Sequence, residues 1–276
     1  MMPVLLALLA VAASAAPVYR GGFVERPEGA RIAYWTRAGA GPTLVLLPGS
    51  WGDRHVFDRY IAALPSSWRA VVVELRGHGG SGPASLSPSM DMFANDVLAV
   101  IDALRLTRYF VAGHSIGGML AIEIAGRRPA QTAGVIAMEG WTHHLVAKEA
   151  FGGEPERLSG ELAQIDRANR QRVRGRLAQP EIDAFASVWR TWDGLPILAS
   201  TPVPILEIWG DRGRPRPSRQ AMRIPDRPGI ELVWMPGASH SLLLQCPEAA
   251  AAETVRFVTS YGARTGSPPR APAPRP

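Results

Sequence analysis

Ser115 lies in the stretch Tyr109-Phe110-Val111-Ala112-Gly113-His114-Ser115-Ile116-Gly117-Gly118, where an apolar run enters a glycine-flanked serine. The run has the length and β-branched content of a buried strand, and a helix is predicted to start near Met119. A side chain at 113 or 117 would collide where the strand reverses into the helix. Glycine at both positions lifts Ser115 Oγ above the sheet, at the positive end of a helix. A serine hydroxyl is a weak nucleophile at neutral pH. It needs a base within hydrogen-bond reach and N–H donors for the oxyanion that forms when it attacks a carbonyl.

The same chemistry has few metal-dependent competitors. Cys246 is the only cysteine, so no intrachain disulfide and no thiolate zinc site can form. The histidines show no HxxxH or HExxH spacing, and His143 and His144 are adjacent, which seldom suits one metal ion. No metal or cofactor is expected. The net charge of +6 invites a nucleic-acid reading, but half of that excess sits in Arg264, Arg270 and Arg275 near the carboxyl end. Lys148 is the only lysine, and no nucleic-acid module is apparent. With 46% hydrophobic and 20% charged residues, the chain of 276 residues can bury a sizeable core.

The elements that must position the serine follow from hydrophobic pattern. Phe23 to Trp35 holds two extended pieces split by Pro27-Glu28-Gly29 and reads as an antiparallel hairpin. Apolar runs at 44–47, 70–73, 110–112, 135–138, 205–208 and 232–234 read as buried parallel strands. Between most of them lie segments of helix length. In Met90 to Leu104, Phe93, Val97, Ile101 and Leu104 recur at helical spacing, with Asp91 and Asp96 loading the early turns. Alternation of this kind predicts an α/β fold: a mostly parallel sheet with helices on both faces and an N-terminal hairpin.

The longest interruption, residues 141–201, is polar and helical, with Leu158, Leu162 and Ile165 on one face. It is expected to form a lid over the carboxyl edge of the sheet, after the strand ending near Glu139. The core then comprises residues 16–140 and 202–261. Val4 to Ala13 is a short apolar run followed by Ala13-Ser14-Ala15, the small-x-small pattern of a secretory cleavage site, so residues 1–15 are expected to be a signal peptide and the protein secreted or periplasmic. The run is too short to span a bilayer, and no integral membrane segment is expected in the mature chain. Residues 262–276, rich in proline and arginine, are expected to be a disordered tail.

The elbow at Ser115, together with Leu47-Pro48-Gly49-Ser50-Trp51, Arg76-Gly77-His78-Gly79-Gly80-Ser81 and Gly237-Ala238-Ser239-His240, resembles the α/β-hydrolase family over roughly residues 20–261. The first of these normally reads His-Gly, so Pro48 is a departure. The resemblance implies His240 as the base, since it follows the last core strand and precedes a helix near Pro247. His114 and His78 are expected to pack structurally, and His55, His143 and His144 to lie on the surface or lid. The oxyanion donors would be the N–H of Ile116 and that of Ser50 or Trp51.

Two positions remain open for the acid. Family members commonly place it in a Gly-x-x-Asp pattern after the strand that precedes the histidine strand, but here the stretch reads Trp209-Gly210-Asp211-Arg212-Gly213, with Asp211 two residues early. Haloalkane-dehalogenase-like relatives place it at the end of the strand after the elbow helix, where this chain has Glu139. An apolar strand ending in a carboxylate needs a partner for that charge, so Glu139 is preferred and Asp211 is the alternative. Dehalogenase chemistry itself would need an aspartate where Ser115 stands.

Trp141, Trp189 and Trp192 are candidates for lining a substrate pocket, and the lid arginines 167, 170, 172, 174 and 176 are either a solvated face or an anion site. The expected activity is serine hydrolysis of a carboxylic ester of modest size, with a small molecule as the partner. Carbon–carbon bond hydrolysis, cofactor-free oxygenation and a non-catalytic ligand receptor are the alternatives on the same fold.

Overall fold

In β3 (Thr43–Leu47) successive side chains part to opposite faces of the sheet, as strand geometry requires. Val45 and Leu47 enter one buried layer, Leu44 and Leu46 the other, and all four are fully buried. The computed structural model describes residues 19–153 and 158–262. The other strands are β1 (Arg20–Glu25), β2 (Arg31–Arg37), β4 (Arg69–Val73), β5 (Tyr109–His114), β6 (Thr132–Met138), β7 (Ile205–Gly210) and β8 (Ile230–Met235).

They form one sheet in the order β1-β2-β4-β3-β5-β6-β7-β8. The hairpin β1–β2 is antiparallel, as is its join to β4, and every later pairing is parallel. The expected hairpin and parallel core are therefore present. After β3 the chain adds β4 on one side and β5 on the other. The crevice at the carboxyl ends of β3 and β5 is thus a topological switch point, where open α/β sheets bind ligands.

Helices cover both faces. α1 (Asp58–Ala63) and α9 (Pro247–Gly262) pack on the Leu44–Leu46 face, joined by a 2.7 Å bond between Tyr60 Oη and Thr254 Oγ1. On the Val45–Leu47 face lie α2 (Met90–Ala103) and α3 (Ile116–Arg127). Ser89 caps α2 by accepting the N–H of Met92. Asp96 differs from its expected role. It is buried rather than placed to offset the helix dipole, and it takes two bonds from Arg76 and one from Arg26.

Between β6 and β7 the chain forms α4 (Val146–Phe151), α5 (Gly160–Arg174), α6 (Gln179–Ser187) and α7 (Leu195–Ser200). The expected apolar face of α5 is not the one turned inward: Ile165 is exposed, whereas Val173 is buried and Asp166, Asn169 and Arg170 face the core loops. The physical reason is that α5 covers the crevice between the loops after β3 and β8 instead of packing on the sheet. The short α8 (Leu242–Gln245), between β8 and α9, was not expected. The expected signal peptide and all but the first residue of the expected tail lie outside the described residues.

Candidate active site

Ser115 follows β5 and stands at the N-cap of α3 with φ +56° and ψ −124°, a left-handed backbone that an L residue adopts only under constraint. The constraint is the absence of room. A Cβ on Gly113 would overlap the carbonyl of Gly117, and a Cβ on Gly117 would overlap that of Leu47 in β3. The turn therefore closes only with glycine at both positions, and Ser115 Oγ is held outward at the crevice.

From Ser115 Oγ a line of hydrogen bonds runs inward. His240 Nε2 lies 3.1 Å from Ser115 Oγ, and His240 Nδ1 lies 3.2 Å from Glu139 Oε2. His240 is supplied by the loop after β8, Glu139 by the residue after β6, where the backbone again takes a positive φ of 51°. The structure brings these three together. It does not bring Asp211 to His240: the Asp211 carboxylate accepts the N–H groups of Gly237 at 2.7 Å and Gly213 at 3.0 Å, and pairs with Arg216. Asp211 fastens the turns after β7 and β8 and leaves the imidazole to Glu139.

Glu139 is fully buried, and four donors satisfy it. Oε1 accepts the N–H of Gly210 at 2.7 Å and Arg212 Nη1 at 3.0 Å; Oε2 accepts Arg212 Nη2 at 2.6 Å besides the imidazole. Burial pushes its carboxyl upward, but hydrogen bonds from His240 and Arg212, with the charge of Arg212, outweigh that and hold it below the ordinary range. The sequence assigns Arg212 no role. The one local signal for its inward turn is a positive φ of 56°, which cannot be seen in the residue type.

His114 has a different place from the packing role expected of it. Its ring lines the crevice, and Nε2 lies 2.6 Å from the carbonyl oxygen of His240. Burial, then the neighbouring His240, pulls its pKa down to about 4, so at neutral pH it is uncharged and donates Nε2–H to that carbonyl. His78 is buried and stacked on Trp51, with a pKa pulled to about 4 by burial. His143, expected at the surface or lid, lies near the start of the insertion, where it is buried and stacks on His144.

A cavity of about 190 Å³ opens at Ser115, walled by Ser50, Trp51, Ile116, Met119, Trp141 and Trp189, with Arg170 at its edge. Trp141 and Trp189 meet edge to face at 5.0 Å. Trp192 does not line it. The three-residue spacing from Trp189 runs through a short 3₁₀ turn, and Trp192 leaves that turn extended, buried against Glu123 of α3. Ile116 is the first residue of α3, so its N–H has no carbonyl within the helix. Ser50 and Trp51 are the central residues of a turn closed by the Gly52 N–H to the Gly49 carbonyl, beside Ser115.

The arginines of α5 and the turn after it serve mainly as fasteners. Arg172 binds Asp53 in the loop after β3, Arg174 lies 5.2 Å over Trp51, Arg176 donates to the Gly79 carbonyl, and Arg170 pairs with Asp166. The first three tie the insertion to the loops of the core, and the Arg170 pair lies within α5.

This arrangement can pass a proton from a serine hydroxyl to an imidazole whose far nitrogen faces a buried carboxylate. A profile of the α/β-hydrolase family matches residues 44–254, and the chain belongs to that family of enzymes. The chain is similar, at 24% identity over 91% of its length and 73% of the relative's, to the dihydrolipoyllysine-residue acetyltransferase component of an acetoin cleaving system from Pseudomonas putida. It is 25% identical, over 81% of its length and 97% of the relative's, to a pimeloyl-[acyl-carrier protein] methyl ester esterase from Pectobacterium atrosepticum. The enol-lactonase from Burkholderia xenovorans LB400 superposes with a TM-score of 0.68 at 21% identity, over 86% of this chain and all (100%) of that one, which speaks to the fold.

Proposed function

We propose that this hydrolase is a serine esterase, acting on a carboxylic ester of modest size through an acyl-enzyme. The observation that carries the reading is the unbroken line from Ser115 Oγ through His240 to Glu139, at 3.1 Å and 3.2 Å, at the mouth of the cavity. His240 Nε2 takes the Ser115 proton as Oγ attacks the ester carbonyl carbon. The oxyanion is received by the Ile116 N–H and by that of Ser50 or Trp51. The bond to the alcohol breaks as His240 returns the proton to the leaving oxygen. Water then attacks the acyl carbon, gives its proton to His240, and the Ser115–acyl bond breaks with Oγ recovering that proton. Glu139 stays ionised throughout and stabilises the imidazolium.

The aromatic walls, Trp51, Trp141 and Trp189, suit an apolar acyl or alkoxy group, and the insertion that carries Trp189 acts as a lid. The methyl ester esterase among the relatives supports the ester reading. Labelling with a fluorophosphonate, alongside turnover of p-nitrophenyl acetate and butyrate, tests it. Wild type should label and turn over, and Ser115→Ala should do neither. Folded wild type that does neither would remove the esterase reading, and oxygen consumption surviving Ser115→Ala would replace it with oxygenation.

A further inference from the structure

The loop after β7, where the resemblance would place an acid, carries instead an arginine directed at the acid. Arg212 is 1% exposed, and its guanidinium lies 3.8 Å from the centre of the Phe151 ring, which stacks on Trp209. Its N–H donates to the Ala238 carbonyl, next but one to His240, and Nη1 also reaches the carbonyl of Gly210. Burying a guanidinium is costly even when it is paired, and Nε has no partner among the described residues. Mere stability is a poor reason to keep such a group.

We propose that Arg212 is a positioning residue of the reaction, which fixes the Glu139 carboxylate for His240 and, by sharing its charge, sets how acidic the solution can become before the base is lost. The proposal rests on the Ser115–His240–Glu139 reading above. Glu139 has about four lone-pair sites, and Arg212 occupies one on each oxygen, so the carboxylate cannot rotate away from the imidazole. Arg212 Nη2 and His240 Nδ1 share Oε2, with the arginine bond the shorter, 2.6 Å against 3.2 Å. A lone buried carboxylate would strongly favour the imidazolium; one already paired with a cation favours it less. Arg212 thus competes with His240 for the charge on Oε2.

The other groups around His240 do not supply this. His114 is uncharged, Cys246 is a neutral thiol pushed up to about 11 by burial and nearby carboxylates, and Arg170 across the cavity is paired with Asp166. Arg212 is absent from the cavity wall, so its loss should not touch substrate binding.

The test compares wild type with Arg212→Met, Arg212→Gln and Arg212→Lys. The neutral variants should lose about 10- to 100-fold in kcat with KM little changed, and the acid limb of kcat/KM should move up by about one pH unit. Arg212→Lys keeps a cation but cannot make both bonds, so it should lose part of kcat and hold the limb in place. The His240 Cε1–H resonance, followed against pH without substrate, should move with the limb. A neutral variant that folds but leaves both limb and resonance unmoved would reduce Arg212 to a structural clamp, as would a lysine variant that shifts as far as methionine. If Arg212→Met does not fold, Arg212→Gln carries the comparison. If wild type hydrolyses no ester, the esterase reading fails by itself, while the resonance still decides whether Arg212 controls the imidazole.

Discussion

Glu139 and Asp211 are the two carboxylates that the motif pattern leaves competing for His240, and geometry separates them by partner. Glu139→Gln removes the charge opposite Nδ1 and leaves Arg212 buried without its counterion. It should lower kcat by about 10³- to 10⁴-fold, the scale for loss of a triad acid. Asp211→Asn should stay within about threefold, because Asp211 holds turns and not the imidazole. Ester turnover of the two variants, with melting curves to establish folding, checks the pair; equal losses would mean that Asp211 acts on the base. His114→Phe removes the 2.6 Å bond to the His240 carbonyl and should cost about tenfold in kcat. Ser115 and His240 are legible in the sequence because glycine spacing and chain order restrict them. Glu139 is half legible: a carboxylate closing an apolar strand demands a partner, but that partner comes from loops far along the chain. Arg212 and His114 are not legible, since the inward turn of the one and the carbonyl contact of the other depend on backbone angles and on a loop 126 positions away.

Of the seven non-glycine residues with positive φ among the described residues, four, Trp51, Ser115, Glu139 and Arg212, gather at the carboxyl edge of the sheet. Strain concentrated there implies that the surrounding elements hold it in place. The tightest of them is the β5–α3 elbow. Gly117→Ala would drive a methyl into the Leu47 carbonyl of β3, the strand that carries the Ser50–Trp51 loop, and should cost about 2 kcal/mol or more of stability with loss of fluorophosphonate labelling. Gly152→Ala is the control. That residue has φ +65° with nothing near the added methyl, so it should cost about 1 kcal/mol and leave labelling intact. Denaturant midpoints and labelling on both variants make the measurement. The strands and the elbow are legible because continuous apolar runs and glycine leave few alternatives. The insertion is less so, because α5 turns polar residues inward to a crevice and its arginines to the core loops, and a reading that equates inward with apolar selects the opposite face.

Across the whole molecule the buried titratable groups set opposing pH trends. His78 and His114 have an ordinary value of 6.5 when unfolded and about 4 in the fold, lowered first by burial. Between those values the unfolded chain binds more protons, so stability rises as pH climbs from about 4 to 6.5 and is lost as pH falls back through that window. Glu207 works in the other direction. It is fully buried in β7, with Trp209 Nε1 on one oxygen at 3.0 Å and no partner for the other among the described residues. Burial raises its pKa from 4.5 to about 8 against the Trp209 bond, so the folded protein carries the proton at neutral pH. The folded state is then the one that binds more protons, and stability declines as pH rises from 4.5 towards 8, by at most about 1.4 kcal/mol per unit. Two histidines gaining against one glutamate place the maximum near pH 6.5, with a fall above it that belongs to Glu207. Glu207→Gln keeps an acceptor for the Trp209 N–H and removes the titration, so it should flatten the decline between about pH 6.5 and 8 and steepen the rise between about pH 4.5 and 6.5, where Glu207 opposes the two histidines. Urea midpoints of wild type and variant across that range read the difference directly. Parallel slopes would mean that Glu207 does not hold its proton in the fold.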